Sequence, residues 1–429
     1  MRGYFEPQPE GMCSTFYATF FLSKVNGLLV YIHAARDCVA NLRCHISVAR
    51  LGSPLYTPGT VFNEREAIFG AVDKVYEAIR QLIERKRPKA VAIIEGCTSL
   101  TINEDLMSVA EQLSEETGVP VIVVKAGYNC RAEYMGAGEA LKSLIDLMDA
   151  QEGAEATRFN ILGYATLHGR VHMSEILKPM KLNSAIVSSE GSPIDQIIRA
   201  PLAGVNIPLH VFAEEALKEI MRRFGIPYVD VLPYGTAPTR LAVERVSDVT
   251  GVKVDTRFDR WEHEVEKLKD KLSGRKVLIA SSLGREVNLA SIAVSLGMET
   301  VVFTSYAPPL ARENVSFIEE NGGEFHQERS VYETIKRVSG EEFDFVIGNW
   351  IMGSLAIDMG AWFFSRISIA NMDMPGFLGV IKSGRDFVRK LDGKVRRFRD
   401  FMRRFNLVCD PFLEYKFEGD GIGEPELVF

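Results

Sequence analysis

Short apolar runs alternate with amphipathic segments along the whole chain. The runs are rich in valine and isoleucine and predict strands at 28–33, 91–96, 119–124, 159–163, 184–187, 276–280, 300–304, 343–348 and 367–370. Several runs are apolar at nearly every position, which is typical of parallel strands covered on both faces. Between the runs, apolar residues recur at helical spacing, for example within 71–87 and 213–224. The alternation predicts an α/β protein with mainly parallel sheets.

Two polar stretches divide this pattern into three units. One is 150–155 and the other is the charged helix predicted at 257–271, and each stands ahead of a predicted strand. We therefore expect three Rossmann-like α/β domains of ordinary size, followed by a basic amphipathic helix and a C-terminal tail. The expected boundaries are 1–152, 153–272, 273–385 and 386–429.

The C-terminal segment differs from the rest in charge. Between 382 and 404 it carries ten Lys or Arg residues and three Asp residues, a local net charge of +7. Its apolar residues recur every three or four positions, which predicts an amphipathic helix. These residues are Phe387, Leu391, Val395, Phe398, Met402 and Phe405. The basic face is either the solvated side of a helix packed on the core or a docking surface for an acidic partner.

The composition is that of an ordinary globular protein. The 429 residues are 46% hydrophobic and 25% charged, and 50 Lys and Arg against 57 Asp and Glu give a net charge of −7. This balance argues against nucleic acid as a partner, because a phosphate-binding surface needs an excess of cations. No run reaches the roughly 18–20 apolar residues that span a bilayer, so we expect no membrane partner. Six cysteines are too few for a secreted disulfide framework, which predicts a cytoplasmic protein with reduced thiols.

Common catalytic and nucleotide-binding motifs are missing from the sequence. There is no G-x-x-x-x-G-K-[ST] loop for ATP phosphates, no G-x-S-x-G, no H-E-x-x-H and no C-x-x-C. Among the seven histidines, only His168 and His172 have a spacing that would suit a shared metal ion. His33 ends a predicted strand, and we expect it to be a hydrogen-bonded residue of the core. No catalytic residue is assigned.

The cysteines carry the main chemical signal. Cys38 lies five residues after a predicted strand and Cys97 directly follows another, whereas Cys13 lies in the N-terminal segment. The carboxyl ends of parallel strands are where α/β sheets bind ligands. Thiolates are soft ligands that suit iron–sulfur clusters and zinc. The three cysteines are therefore either small core residues or ligands of one cluster, whose shell a partner or another residue type would complete.

The surroundings of these cysteines resemble those of nitrogenase component 1. The stretch Ile-His-Ala-Ala-Arg-Asp-Cys that ends at Cys38 is similar to the His-Gly-x-x-Gly-Cys window of β-type subunits, and Cys13 and Cys38 have the same 25-residue separation. The segment 63–70 resembles that family's acidic segment, and 95–106 resembles its third cysteine window. The similarity extends over about 10–385. It implies that Cys13, Cys38 and Cys97 are metal ligands of an iron–sulfur cluster at the edge of the first domain.

Departures from the family pattern limit what the resemblance implies. Ala34, Asp37 and Asn103 stand where the family has glycines. The cluster type is therefore left open between a four-iron 4Fe-4S cluster and a subunit-bridging eight-iron P-cluster type. The cysteine and histidine that hold the large cofactor in the catalytic subunit have no counterpart here, so the chain is most similar to a β-type subunit. His210 is an alternative ligand in that region.

The resemblance implies an oxidoreductase subunit in a hetero-oligomer. Such a subunit receives electrons from an ATP-hydrolysing iron protein, pairs with a second component-1-type chain (an α-type homologue or a second copy), and passes electrons to a reducible substrate. We expect C–S bond reduction of methylthio-alkanes or a similar reaction. The alternatives are a tetrapyrrole reductase subunit, a non-catalytic scaffold for assembly of a nitrogenase-type metal cofactor, and a binding protein whose cysteines are merely buried.

Overall fold

The computed structural model describes residues 13–48, 57–127, 135–149, 153–280, 284–327, 331–348, 350–364 and 374–391. Within these ranges the chain forms an α/β fold with three larger parallel sheets. A two-stranded parallel pair, β1 (Val25–Asn26) with β8 (Ser192–Pro193), connects the first and middle parts of the chain. No helix in the described ranges is both long and apolar enough to cross a membrane.

The first sheet has four parallel strands in the order β3-β2-β4-β5. Every residue of β4 is buried, as expected for a strand covered on both faces. Tyr31, Val91 and Ile93 pack on one face, against the apolar sides of two helices, while Ile32 and Ile94 join the main core on the other. The strands are β2 (Leu28–Ala35), β3 (Gly59–Phe62), β4 (Ala90–Glu95) and β5 (Val121–Lys125). The helices are α1 (Ser14–Leu22), α2 (Arg36–Val48), α3 (Glu64–Phe69), α4 (Val72–Lys86), α5 (Cys97–Ile102), α6 (Leu106–Thr117) and α7 (Met135–Ser143).

The middle sheet has three parallel strands in the order β7-β6-β9. Buried amides join its strands, because Asn160 Nδ2 donates to Asn206 Oδ1 at 2.9 Å. The strands are β6 (Glu155–Ala165), β7 (Lys181–Ser188) and β9 (Ala203–Pro208). The helices are α8 (Leu167–Ile176), α9 (Ile194–Ile198), α10 (Glu214–Phe224) and α11 (Thr236–Thr250).

The third sheet has five parallel strands in the order β12-β11-β10-β13-β14. Its helices include α17, which buries Phe377, Val380 and Phe387 and packs along α12. The strands are β10 (Lys276–Ala280), β11 (Glu299–Thr304), β12 (Glu324–Gln327), β13 (Phe345–Gly348) and β14 (Trp362–Phe364). The helices are α12 (Asp259–Leu272), α13 (Glu286–Ser295), α14 (Arg312–Glu320), α15 (Val331–Val338), α16 (Trp350–Met359) and α17 (Gly376–Leu391).

The predicted α/β class with mainly parallel sheets is confirmed. Eight of the nine predicted strands coincide with observed ones, and the predicted strand at 367–370 lies outside the described residues. The basic C-terminal helix begins earlier than predicted, at Gly376, and 392–429 also lies outside the described residues.

Candidate cysteine site

The strand order of the first sheet reverses direction between its two central strands. The chain passes from β2 outward to β3 and then returns to the opposite side for β4 and β5. In open parallel sheets, ligands bind outside the carboxyl ends of the two strands at such a reversal. Cys38 lies in the first turn of α2, which follows β2, and Cys97 is the first residue of α5, which follows β4. Two of the three predicted cysteines therefore flank the reversal point.

Cys13 is held at the same edge of the sheet. It is the N-cap residue of α1, and its carbonyl accepts a hydrogen bond from Tyr17 N–H at 3.2 Å. Thr15 Oγ1 donates to the Ala126 carbonyl, just past the end of β5, at 3.0 Å. A Cβ added at Gly136 would lie 1.8 Å from the Ser14 carbonyl oxygen, so only glycine allows α7 to pack this closely on the start of α1.

The Cys13 and Cys97 thiols lie within electrostatic range of the Cys38 thiol. Partial burial raises the pKa of the Cys38 thiol, and the neighbouring Cys13 and Cys97 thiols and the Asp37 carboxylate raise it further. Cys38 and Cys97 are exposed, Cys13 is half-buried, and none of the three forms a disulfide. Three separate connections of the chain thus bring three accessible thiols to one edge of the sheet.

Glycines let the Cys97 segment approach its neighbours closely. A Cβ at Gly127 would lie 3.1 Å from both the Cα and the backbone N of Cys97, and 2.3 Å from Leu100 Cδ1. A Cβ at Gly96 would lie 2.7 Å from the Ala34 Cβ. The methyl group of Ala34, which replaces a family glycine, is therefore accommodated because position 96 has no side chain.

The chemistry of three thiols fits an iron–sulfur cluster. In the described part of the chain, no three His, Cys, Asp or Glu side chains are grouped as ligands of one ion. A four-iron cluster binds each cysteine through a different iron, so its ligands stand farther apart than those of one ion. Three thiols on one edge suit such a cluster, with at least one ligand from elsewhere. Cysteine binds iron as a thiolate, so cluster binding would release the proton from each thiol. At Cys38 the raised pKa means that the cluster would have to displace a more firmly held proton.

The other two departures from the family pattern have local explanations. Asn103 has φ +55° and ψ +53°, the left-handed conformation that asparagine tolerates best after glycine. Asp37 lies in the first turn of α2, where a carboxylate interacts favourably with the helix dipole. It also places a negative charge beside Cys38.

A buried polar pair lies behind the thiols. His33 Nε2 is 2.7 Å from Glu104 Oε2, and the His33 side chain is 0% exposed. Burial lowers the pKa of His33, although the hydrogen bond to Glu104 opposes this effect. The hydrogen-bonding role expected of His33 is confirmed. Glu104 was not predicted as a site residue, although it lies within the segment 95–106 that resembles the family's third cysteine window.

A second carboxylate is buried immediately before Cys97. Glu95 is 2% exposed and accepts a hydrogen bond from Ser99 Oγ at 2.9 Å. Burial raises its pKa, and the Lys125 ammonium partly offsets this effect. Sequence reasoning also missed this residue, because it ends an otherwise apolar strand.

The histidines considered as ligands lie in other surroundings. His168 is exposed on α8, whereas His172 is buried and its Nε2 accepts a hydrogen bond from Leu378 N–H at 3.2 Å. The structure therefore does not bring this pair together as a metal site. His210 follows β9, is 0% exposed, and stacks on Phe212 with ring centroids 4.8 Å apart. A Cβ at Gly163 would lie 2.6 Å from His210 Nδ1, so this ring is tightly enclosed by the chain itself.

An apolar surface adjoins the cysteine site. Ile68 and Phe69, at the end of α3, are 72% and 80% exposed. Helix α3 packs against α5, whose first residue is Cys97. Two large apolar side chains thus face solvent on a helix that packs against the helix of Cys97, an arrangement typical of a protein–protein contact.

The fold and the site together define an α/β protein with a thiol site suited to an iron–sulfur cluster. The sequence model of the family described as nitrogenase component 1 type oxidoreductase matches residues 13–392. The chain belongs to this family, as the resemblance predicted.

Similar proteins include different branches of the family. The chain is 26% identical over 347 residues to the nitrogenase iron-molybdenum cofactor biosynthesis protein NifE of Clostridium pasteurianum, covering 78% of this chain and 75% of that protein. It is 27% identical over 315 residues to a subunit of the light-independent protochlorophyllide reductase of Halorhodospira halophila, covering 68% of this chain and 59% of that protein. A solved structure of nitrogenase Cp1 at pH 6.5 superposes with a TM-score of 0.76 at 16% identity, covering 91% of this chain and 94% of that one.

Proposed function

We propose that this chain is the iron–sulfur subunit of a nitrogenase-like two-component reductase. In this proposal Cys13, Cys38 and Cys97 ligate the cluster. The observation that carries the proposal is the convergence of the three thiols at the reversal point of the first sheet, where the Cys13 and Cys97 thiols raise the pKa of the Cys38 thiol. Family membership supports the oxidoreductase class.

The chain's own residues would bind the cluster and control its surroundings. The thiols supply soft ligands, and Gly96 and Gly127 allow the backbone near Cys97 to pack closely. Asp37 adds negative charge beside Cys38, which favours the more oxidised state of any nearby redox group. When bound, an iron–sulfur cluster accepts and releases single electrons. Either a 4Fe-4S cluster or half of a subunit-bridging P-cluster type would use three thiols from this chain.

Two protein partners follow from the proposal. The sequence has no phosphate-binding loop, so ATP hydrolysis would belong to a separate iron protein. A second component-1-type chain, homologous or identical, would supply the missing cluster ligands. The exposed Ile68–Phe69 pair gives one of these partners an apolar contact beside the thiols. We place this complex in the cytoplasm.

The first test is metal content. Anaerobically purified wild type is compared with Cys13→Ala, Cys38→Ala and Cys97→Ala for iron, acid-labile sulfide and the EPR signal before and after dithionite. Cys409→Ala is the matched control, a cysteine outside the described residues. We expect iron and signal to fall sharply in the three variants and to persist in the control. Iron-free wild type, even when produced together with candidate partner subunits, would contradict the proposal.

A second candidate function is a scaffold for cofactor assembly. The similarity to a cofactor biosynthesis protein favours it. The two functions differ in turnover, because a reductase consumes ATP and substrate repeatedly with an iron protein, whereas a scaffold transfers a bound cofactor once. Repeated reduction of substrate by the purified complex would exclude the scaffold function.

For a reductase, we propose methylthio-alkane C–S bonds as the first substrate class to test. A tetrapyrrole is the alternative, which the similarity to a component of a protochlorophyllide reductase supports. Product formation from ethyl methyl sulfide and from protochlorophyllide, each with an iron protein and ATP, separates the two.

A further inference from the structure

Glu104 connects the two segments that carry Cys38 and Cys97. Its Oε2 lies 2.7 Å from Nε2 of His33, a residue of strand β2, which leads directly into α2 and Cys38. Glu104 itself stands two residues after α5, the helix that begins at Cys97, and its N–H donates to the Ser99 carbonyl at 3.2 Å. The contact between the two side chains therefore joins both thiol-bearing segments independently of the backbone hydrogen bonds of the sheet.

The second oxygen of the same carboxylate binds a third segment. Glu104 Oε1 accepts a hydrogen bond from Ala71 N–H, at the N-cap of α4. Gly70 has φ +80°, and a Cβ there would lie only 3.0 Å from this oxygen. Because α3 ends directly before Gly70, the carboxylate also fixes the backbone that presents Ile68 and Phe69.

Packing alone does not explain why the buried His33–Glu104 pair is polar rather than apolar. His33 and Glu104 are 0% and 4% exposed in their side chains, and the His33 ring packs 4.6 Å from the Phe62 ring. Replacing a buried polar pair by apolar residues of similar volume is often neutral or stabilising. His33 Nδ1 is buried without a hydrogen-bond partner among the described residues, so the contact with Glu104 is the one side-chain hydrogen bond there that orients the ring, beside its packing on Phe62. Hydrogen bonds are directional and apolar packing is not, so the pair fixes the relative orientation of the segments that carry Cys38 and Cys97.

We infer that Glu104 is a positioning residue for the cysteine site, which fixes the Cys38 and Cys97 segments relative to each other through His33 and Ala71. The inference rests on the proposed function, because the spacing of the thiols matters most to a group they hold together. It concerns the chain's own geometry, however, and can be tested with and without iron.

The experiment compares Glu104→Ala, Glu104→Asp and Glu104→Gln with wild type. Glu111→Ala is the control, since Glu111 is exposed on α6 of the same sheet layer. Gln keeps the length needed to reach both partners, whereas Asp keeps the charge but is one methylene shorter. Three quantities are measured: iron retained against a chelator, the midpoint potential of the cluster, and the alkylation rates of Cys38 and Cys97 by iodoacetamide in iron-free protein.

We expect Glu104→Ala and Glu104→Asp to retain iron about 10- to 100-fold less well, the usual effect of losing a residue that orients metal ligands. Both should shift the midpoint potential of the remaining cluster and change the ratio of the two alkylation rates. Glu104→Gln and Glu111→Ala should stay close to wild type.

Two results would overturn the inference. The first is wild-type behaviour of Glu104→Ala and Glu104→Asp in all three measurements. The second is a Glu104→Gln variant as defective as Glu104→Asp, because the length of the side chain would then not explain the defect. If Glu104→Ala does not fold, the comparison of Glu104→Asp with Glu104→Gln decides whether the inference holds. If wild type holds no iron, the proposed function fails, and the alkylation rates alone decide whether Glu104 positions the segments.

Discussion

At the scale of single residues, Asn103 shows how a departure from the family pattern can preserve the backbone. It ends α5 in the left-handed conformation, and its N–H bonds to the Ser99 carbonyl. An L-residue without a short polar side chain loses about 1–2 kcal/mol in this conformation. Asparagine therefore meets the backbone requirement of this position, which follows the helix of Cys97.

This requirement gives a stability prediction. We expect Asn103→Ala to lower the free energy of unfolding by about 1 kcal/mol, because alanine pays the full steric cost of positive φ. Asn103→Gly should stay within about 0.5 kcal/mol of wild type, since glycine adopts this conformation freely. Urea unfolding of both variants measures the difference. Equal stability of the alanine and glycine variants would show that the conformation at 103 carries no cost.

The residues of the candidate site differ in how far sequence can predict them. Cys38 and Cys97 were predictable, because apolar runs locate the ends of parallel strands and those ends share one edge of the sheet. Glu104 was not, since its partner His33 lies 71 positions away and only the folded chain joins them. A resemblance identified the three cysteines together, but it could not reveal the buried pair behind them.

At the scale of elements, long apolar strands were predictable and short mixed ones were not. β4 is a continuous buried apolar run up to Glu95, and the prediction at 91–96 lies within one residue of it. β9 was not among the predicted strands, since it contains Gly204, Asn206 and Pro208. Its polar Asn206 is buried only because Asn160 of the neighbouring strand pairs with it, and a Cβ at Gly204 would lie 2.7 Å from the Ala156 Cα. Such tertiary partners are invisible to hydrophobic periodicity.

The start of α17 is joined to α8 through a neutral histidine. His172 Nε2 accepts a hydrogen bond from Leu378 N–H, and its ring meets Trp261 of α12 edge-on with centroids 5.2 Å apart. Burial lowers the pKa of His172 to about 4, Glu175 on the same helix opposes this effect, and Arg260 of α12 adds to it. A protonated ring could not accept the Leu378 hydrogen bond.

The hydrogen bond between Leu378 and the neutral His172 predicts that the stability of the protein depends on pH. Because the folded-state pKa is below the usual 6.5, the unfolded chain takes up the proton first as the pH falls. The stabilisation is complete above pH 6.5 and is lost on acidification to about pH 4, a change of about 3 kcal/mol. Unfolding free energy measured across this range should fall less steeply in His172→Gln than in wild type. His168→Gln, an exposed control on the same helix, should keep the wild-type slope, and an unchanged slope in His172→Gln would contradict the prediction.

At the scale of the whole molecule, the thiols and the apolar surface occupy neighbouring positions at the edge of the first sheet. Cys38 and Cys97 are exposed and Cys13 is half-buried, and α3 presents the exposed Ile68 and Phe69 on the same part of the fold. A redox group placed so openly would react with solvent unless another protein covered it. In the proposed complex a partner would cover the thiols, which agrees with a sequence that has no phosphate-binding loop of its own.

The apolar pair gives the last prediction. We expect Ile68→Ser/Phe69→Ser to leave the free energy of unfolding of the chain unchanged, because both side chains are already in solvent. The same double variant should weaken association with the partner that covers the site, since exposed aromatic residues often dominate such contacts. Met221→Ser is the matched control, an apolar residue 51% exposed on α10.

Two measurements distinguish the partners. Sedimentation of the chain, alone and together with a component-1-type chain, reports subunit pairing, and the rate of ATP-dependent reduction by an iron protein reports docking of the reductase. If the double variant still pairs but is no longer reduced by the iron protein, the Ile68–Phe69 surface is the docking site of the iron protein. If it no longer pairs, the surface belongs to the contact with the paired subunit. If pairing and the reduction rate of the double variant both equal those of Met221→Ser, the Ile68–Phe69 surface is not the contact. The partner would then bind a different surface near the thiols.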